Sequence, residues 1–258
     1  MSIELPRTRR PRRGAQLALT VSLLVGASLN AQAVIFNYVD WTSANVGQGT
    51  ASGVITLPDA STVNVDFAAT NPDGSPGNLN FAQTAGGTNY WVPDTPYLST
   101  EVENAPPDSD IISLVGQFGS SQTYTVTLSE PIKDPIMAIV SLGSPSNSAT
   151  YDFDAPFEIV SQGTGFWGGT ATSLSAGPGD TLTGFEGHGT LKFLGTYSTF
   201  SWLITDPENW HGFTFGIRTT ERLEPTPDPT PTPNPGVPEP GTLLLLAAGA
   251  AAMRLRRF

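Results

Sequence analysis

Thr123-Tyr124-Thr125-Val126-Thr127-Leu128 alternates polar and apolar side chains without a break. Successive side chains of an extended chain point to opposite faces, so Tyr124, Val126 and Leu128 share one face and the threonines the other. The hexapeptide reads as a half-buried strand. Shortly after it, Ile136 to Leu142 is apolar on both faces and reads as a central strand covered on each side. Working outward, Ala33 to Trp41 is a first extended run. Gly53 to Leu57 and Thr62 to Phe67 form a hairpin around Pro58-Asp59-Ala60-Ser61. Ala149 to Phe153 and Phe157 to Ser161 flank Asp154-Ala155-Pro156, and Thr190 to Leu194, Thr199 to Thr205 and Gly212 to Arg218 close the series. No amphipathic helix and no internal repeat interrupts them. About a dozen short strands with turn-rich connections imply an all-β fold, a single antiparallel β-sandwich of jelly-roll type over residues 34–222, with a less regular sandwich as the alternative. The Pro-, Gly- and Asn-rich stretch from Asn71 to Asp110 is expected to supply ordered loops at one end of that sandwich.

Composition supports strands and turns: the chain has 27 glycines, 23 prolines and no cysteine. Disulfides, thiolate metal sites and cysteine nucleophiles are therefore excluded. The net charge is -11, yet five arginines crowd Arg7 to Arg13 and three more sit at Arg254, Arg256 and Arg257. Between them the only cations are Lys133, Lys192, Arg218 and Arg222, so the middle of the chain is strongly acidic. Such a surface repels phosphate backbones, and no nucleic acid partner is expected.

Residues 1–33 have the order of an export signal. A basic segment precedes the apolar run Leu17 to Leu29, and Ala31-Gln32-Ala33 offers a small-x-small cleavage site, with cleavage expected after Ala33. The arginines leave the choice between the Sec and twin-arginine routes open. At the other end, residues 223–236 are rich in alternating proline and threonine. Proline lacks an amide hydrogen and fixes φ, so this linker is expected to extend as polyproline II, its threonines candidates for glycosylation. Pro238-Glu239-Pro240 follows, then the apolar run Leu243 to Met253, then the basic stop at Arg254, Arg256 and Arg257. As a helix that run spans only about 16 Å, against a hydrocarbon layer of about 30 Å. It suits transient rather than permanent residence in a membrane, with the terminal arginines inside and the acidic middle outside.

The order Pro238-Glu239-Pro240, Leu/Ala-rich segment and closing arginine cluster over residues 237–258 resembles the PEP-CTERM sorting signal of Gram-negative bacteria. The resemblance implies processing by an exosortase, export across the inner membrane, transient anchoring there through the C-terminal segment, and a final place at the cell surface or in the extracellular matrix among exopolysaccharide. The central region is similar to uncharacterised β-rich domains of other proteins with this tail, on Thr123 to Leu142, Tyr151-Asp152-Phe153-Asp154, Gly187-His188-Gly189-Thr190 and Trp210 to Gly216. That similarity implies no activity.

The residues that carry chemistry are few. His188 and His211 are the only histidines. No Gly-x-Ser-x-Gly elbow or zincin pattern accompanies them, and both read as loop residues hydrogen-bonded to backbone. Asp108/Asp110 and Asp152/Asp154 are i,i+2 carboxylate pairs that share a strand face about 7 Å apart, a spacing compatible with an inverting glycosidase. No cofactor is expected. The alternative is Ca2+ on Asp73 and Asn78, in an oxygen-rich turn without EF-hand spacing. Trp91, Tyr97 and Trp167 are the candidates for stacking on sugar rings, whose apolar faces match aromatic ones. The function expected is that of an exported, non-enzymatic surface or matrix protein that binds exopolysaccharide. The alternatives are a secreted polysaccharide hydrolase and a plain C-terminally anchored membrane protein.

Overall fold

The computed structural model describes residues 34–107, 109–116 and 121–218. The export signal over 1–33, Asp108, the linker, the sorting segment and the apolar run Leu243 to Met253 lie outside the described residues, so their structural expectations are not addressed by it. Among the described residues no helix is long and apolar enough to cross a membrane.

Fifteen strands follow one another among the described residues. They are β1 (Phe36–Tyr38), β2 (Asp40–Asn45), β3 (Thr50–Thr56), β4 (Thr62–Thr70), β5 (Phe81–Gln83), β6 (Ile111–Leu114), β7 (Thr123–Lys133) and β8 (Ile136–Leu142). The chain continues through β9 (Ala149–Phe153), β10 (Phe157–Gln162), β11 (Leu174–Ala176), β12 (Thr181–Gly184), β13 (Gly187–Phe193), β14 (Thr196–Ile204) and β15 (His211–Arg218). One sheet has the order β10-β13-β8-β15-β6-β5, with β1 also paired to β15, and the other runs β11-β12-β9-β14-β7-β4-β3-β2. The ladders between named strands are all antiparallel.

Within these sheets β6, β15, β8 and β13 are adjacent in one layer, and β7, β14, β9 and β12 in the other. From β6 to β9 and again from β12 to β15 the chain changes sheet at every connection. That is the jelly-roll winding, extended at its edges by β2–β4, β5, β10 and β11. The expected hairpin is present as β3 and β4, in register from Thr50↔Ala68 to Thr56↔Thr62.

The alternating hexapeptide opens β7 and buries Tyr124, Val126 and Leu128 between the sheets. There Trp202 of β14 meets Phe67, Tyr124, Tyr151, Phe153 and Phe213 at ring separations of 5.2 to 6.1 Å. Buried aromatics carry large apolar areas and favour such tilted contacts, so this belt contributes heavily to the inner core.

β8 is buried along its whole length between β13 and β15, and its two faces serve different cores. Met137 and Ile139 point between the sheets, whereas Ile136, Ala138 and Val140 join a second cluster with Phe36, Tyr38, Trp91, Tyr97, Val102 and Ile111. The Asn71–Asp110 stretch therefore does not sit at one end of the sandwich as expected. Its middle lies across the outer face of the seven-stranded sheet, because a sheet apolar on both faces needs a second cover. Polar contacts fix the cover in place. Asn104 receives the Phe36 N–H (2.8 Å) and donates to the Phe36 carbonyl (2.9 Å), standing in for a neighbouring strand. Lys192 of β13 reaches Glu101 of the cover at 2.6 Å and also pairs with Glu158.

At one end of the β8–β13 ladder the register shifts between Gly187 and Gly189. Ser141 (φ 60°) and Glu186 (φ 56°) hold left-handed conformations beside that shift. Bulges bend a strand and re-aim its side chains. Here the result is that the Ser141 hydroxyl donates to the Glu186 carboxylate.

Candidate functional site

The connections β8–β9, β12–β13 and β14–β15 meet at the end of the sandwich marked by that bulge. They enclose an open groove of about 700 Å3 lined by Ser141, Gly143, Ser144, Ser146, Asn147, Ser148, Phe185, Glu186, Asp206, Pro207, Glu208, Asn209 and Trp210. Its walls offer hydroxyls, an amide and carboxylates, with no lysine or arginine among the lining residues. Phe185 stands on the wall, 48% exposed.

Trp210 belongs to both the groove and a cluster of aromatic rings beside it. Gly165-Phe166-Trp167-Gly168 is a tight hairpin closed by Gly165 N–H to Gly168 O (2.7 Å) and Gly168 N–H to Gly165 O (3.2 Å). The two-residue tip leaves Phe166 (38% exposed) and Trp167 (46% exposed) partly open to solvent. Trp167 meets Trp210 at 4.4 Å in an edge-to-face contact, and Tyr90 lies 5.2 Å from Phe166, 5.4 Å from Trp167 and 5.2 Å from Trp210. Phe81 of β5 backs Tyr90 and Trp210 at 6.0 and 5.9 Å. Three stretches remote in sequence, 81–90, 166–167 and Trp210, thus build one partly exposed aromatic platform.

The hairpin is held by what it covers. A Cβ on Gly165 would stand 2.3 Å from the His188 ring, and one on Gly169 (φ +80°) 2.3 Å from the Glu186 carbonyl. Only glycine allows the loop so close. Beneath it His188 is fully buried, its Nε2 3.5 Å from the Glu186 carboxylate. His211 is likewise buried, its Nδ1 3.2 Å from the Glu208 carboxylate and its ring 5.3 Å from Tyr151. Burial raises the Tyr151 phenol well above its ordinary value, with the Glu208 charge adding to the effect. Two carboxylates on the groove wall are therefore each backed by a buried imidazole.

The expected residues distribute unevenly around this site. Trp167 is on the platform. Trp91 and Tyr97 are not available for stacking: both are buried in the second core, 5.3 Å apart, because the outer face of β8 claims them. His188 and His211 lie in β13 and β15 rather than in loops, and they face carboxylates rather than backbone. Asp152 pairs in register with Thr181 and Leu203, while Asp154 accepts the Ser201 N–H at 2.7 Å, and neither lines the groove. Asp110 is buried beneath the cover, where its carbonyl accepts the Trp91 indole N–H at 3.3 Å.

In the Asp73–Asn78 turn the side-chain oxygens accept hydrogen bonds from within the protein. Asp73 Oδ1 accepts both the Ser75 N–H (2.9 Å) and hydroxyl (2.6 Å), and Asn78 Oδ1 accepts the Gln122 amide (3.2 Å). The Ser75 hydrogen bonds hold the Asp73 carboxyl below its usual range. Among the described residues no group of three or more His, Cys, Asp or Glu side chains is placed to hold a metal ion.

Sequence reasoning missed Glu186 and Glu208 and the role of Trp210. A signal was present: each histidine is preceded by a glutamate, in Glu186-Gly187-His188 and Glu208-Asn209-Trp210-His211.

Comparison with known protein families places the PEP-CTERM protein-sorting motif at residues 236–257. No curated protein and no solved structure matches the chain. The motif implies processing by an exosortase, with export and membrane-associated sorting.

Proposed function

We propose that the jelly roll is a non-enzymatic module that binds exopolysaccharide and that the C-terminal signal delivers to the cell surface or matrix. The observation that carries this reading is the aromatic platform of Trp167, Phe166, Tyr90 and Trp210 at the rim of a polar groove. A sugar ring has an apolar face and a hydroxyl rim. Aromatic rings take the first, and the carboxylates, serines and Asn147 of the groove take the second. A soluble domain that leaves aromatic rings clustered and partly exposed is expected to cover them with a ligand.

The test is retention of the purified domain on the producing cell's own exopolysaccharide and on a glycan array. Trp167→Ala is expected to lower retention about tenfold or more, given the worth of aromatic stacking, with the far-ultraviolet dichroism unchanged. Retention unaltered by both Trp167→Ala and Trp210→Ala would remove the reading.

A second reading, a polysaccharide hydrolase, is favoured by one feature: Glu186 and Glu208 both line the groove. It requires release of reducing ends from the bound polymer and loss of that release in Glu208→Gln.

A further inference from the structure

We infer that the groove selects a polysaccharide bearing free amino groups, a cationic amino-sugar polymer, over acetylated, neutral or uronic-acid chains. This rests on the polysaccharide reading of the groove and adds the chemistry of the sugar. Glu186, Asp206 and Glu208 line the groove, and no lysine or arginine lines any part of it. The cations of the described residues are engaged elsewhere. Lys192 pairs with Glu101 and Glu158, Lys133 lies 3.9 Å from Asp134, and the Arg218 guanidinium sits 5.2 Å over Phe36.

The carboxylates are also poorly hydrated. The Glu186 and Glu208 side chains are 9% and 8% exposed, and Glu208 Oε2 has no hydrogen-bond partner although it lies near His211. A partly desolvated carboxylate attracts a cation more strongly than one in bulk water. An ammonium on a ring that stacks on Trp167 and Trp210 would meet these carboxylates and the faces of the indoles together. A uronate in the same place would bring a like charge beside Glu186, Asp206 and Glu208, with no lysine or arginine in the lining to offset it.

The experiment is titration calorimetry of the full folded domain with four probes: a glucosamine hexamer, the N-acetylglucosamine hexamer, a uronic-acid hexamer and hexalysine. The expected result is binding of the glucosamine hexamer at least tenfold tighter than of its acetylated counterpart. Asp206→Asn and Glu208→Gln are each expected to cost about tenfold toward the amine probe, the usual worth of a charge-assisted contact, and little toward the acetylated one. Asp180→Asn, an exposed turn residue between β11 and β12, is expected to leave all affinities unchanged. This control separates the groove from the general acidity of the domain. Trp167→Ala is expected to weaken both hexosamine probes.

Equal affinity for the two hexosamine hexamers, or preference for the uronate, would overturn the inference while leaving polysaccharide binding intact, provided Trp167 still matters. Hexalysine binding as tightly as glucosamine and without dependence on Trp167 would overturn it in favour of a basic peptide. Binding of none of the sugars would overturn the inference, and retention on the cell's own exopolysaccharide would then decide the polysaccharide reading separately.

Discussion

Asp110 shows how far a single buried group can bias this fold. Desolvation, with a smaller push from the Asp40 carboxylate, raises its carboxyl from the ordinary range to about 6. Its Oδ1 has no hydrogen-bond partner. The folded state therefore binds a proton that the unfolded chain has already released between about pH 4 and pH 6. Stability from this group falls as pH rises through that window and stays reduced above it. Denaturant midpoints at pH 4.5 and pH 7 are expected to lie closer together in Asp110→Asn than in the parent, the midpoint of the variant at pH 7 being the higher one. A variant with the parent's pH dependence would show that water reaches the carboxylate. Legibility at this scale was poor for a physical reason. Asp110 reads as one of many surface acids, and Trp91 and Tyr97 read as stacking residues, because nothing local reveals that a distant strand will bury them. Glu186 and Glu208 meet at one groove only after two strand connections and a bulge have been placed, and neither position has a sequence period of its own.

At the scale of elements, local pattern sufficed wherever one strand or one turn decided the matter. The alternation in Thr123–Leu128 and the turn residues Pro58 to Ser61 each fix a side-chain direction within a few positions, and β7 and the β3–β4 hairpin follow. The doubly apolar run Ile136 to Leu142 was legible as a covered strand, but not what covers it. The cover is the irregular segment around Trp91 and Tyr97, which has strong side-chain anchors and few backbone ladders. Trp91→Ala removes the largest anchor and is expected to cost about 3–5 kcal/mol, as large-to-small changes of aromatic core residues do. Limited proteolysis should then cut first between Thr84 and Pro107, while the inner core stays resistant. Cleavage spread evenly over the domain would mean that cover and sandwich unfold as one unit. The same cover positions Phe81 and Tyr90, so the variant is expected to lose glycan retention along with stability.

For the whole molecule, the sequence announces sorting more openly than activity, since sorting is read by short linear segments and binding by a folded surface. Intact-mass measurement of the protein recovered from the cell surface is expected to show a product that begins at Val34 and lacks the Leu243–Met253 run. Replacement of Glu239 in the sorting motif is expected to leave the full tail on and the protein with the inner membrane. A surface product that retains Phe258 would instead make the C-terminus an ordinary anchor. One feature of the sheet bears on what happens once the protein is in place. β15 starts next to Trp210 at the groove and ends at Arg218, about 24 Å away at the usual strand rise, from where the chain runs on toward its C-terminal tail. A polymer gripped at one end and a tether at the other would stretch β15 lengthwise between β8 on one side and β6 and β1 on the other. Force applied in that direction would be shared by several rungs at once instead of unzipping them singly, so drag on a polymer held there would load β15 in shear.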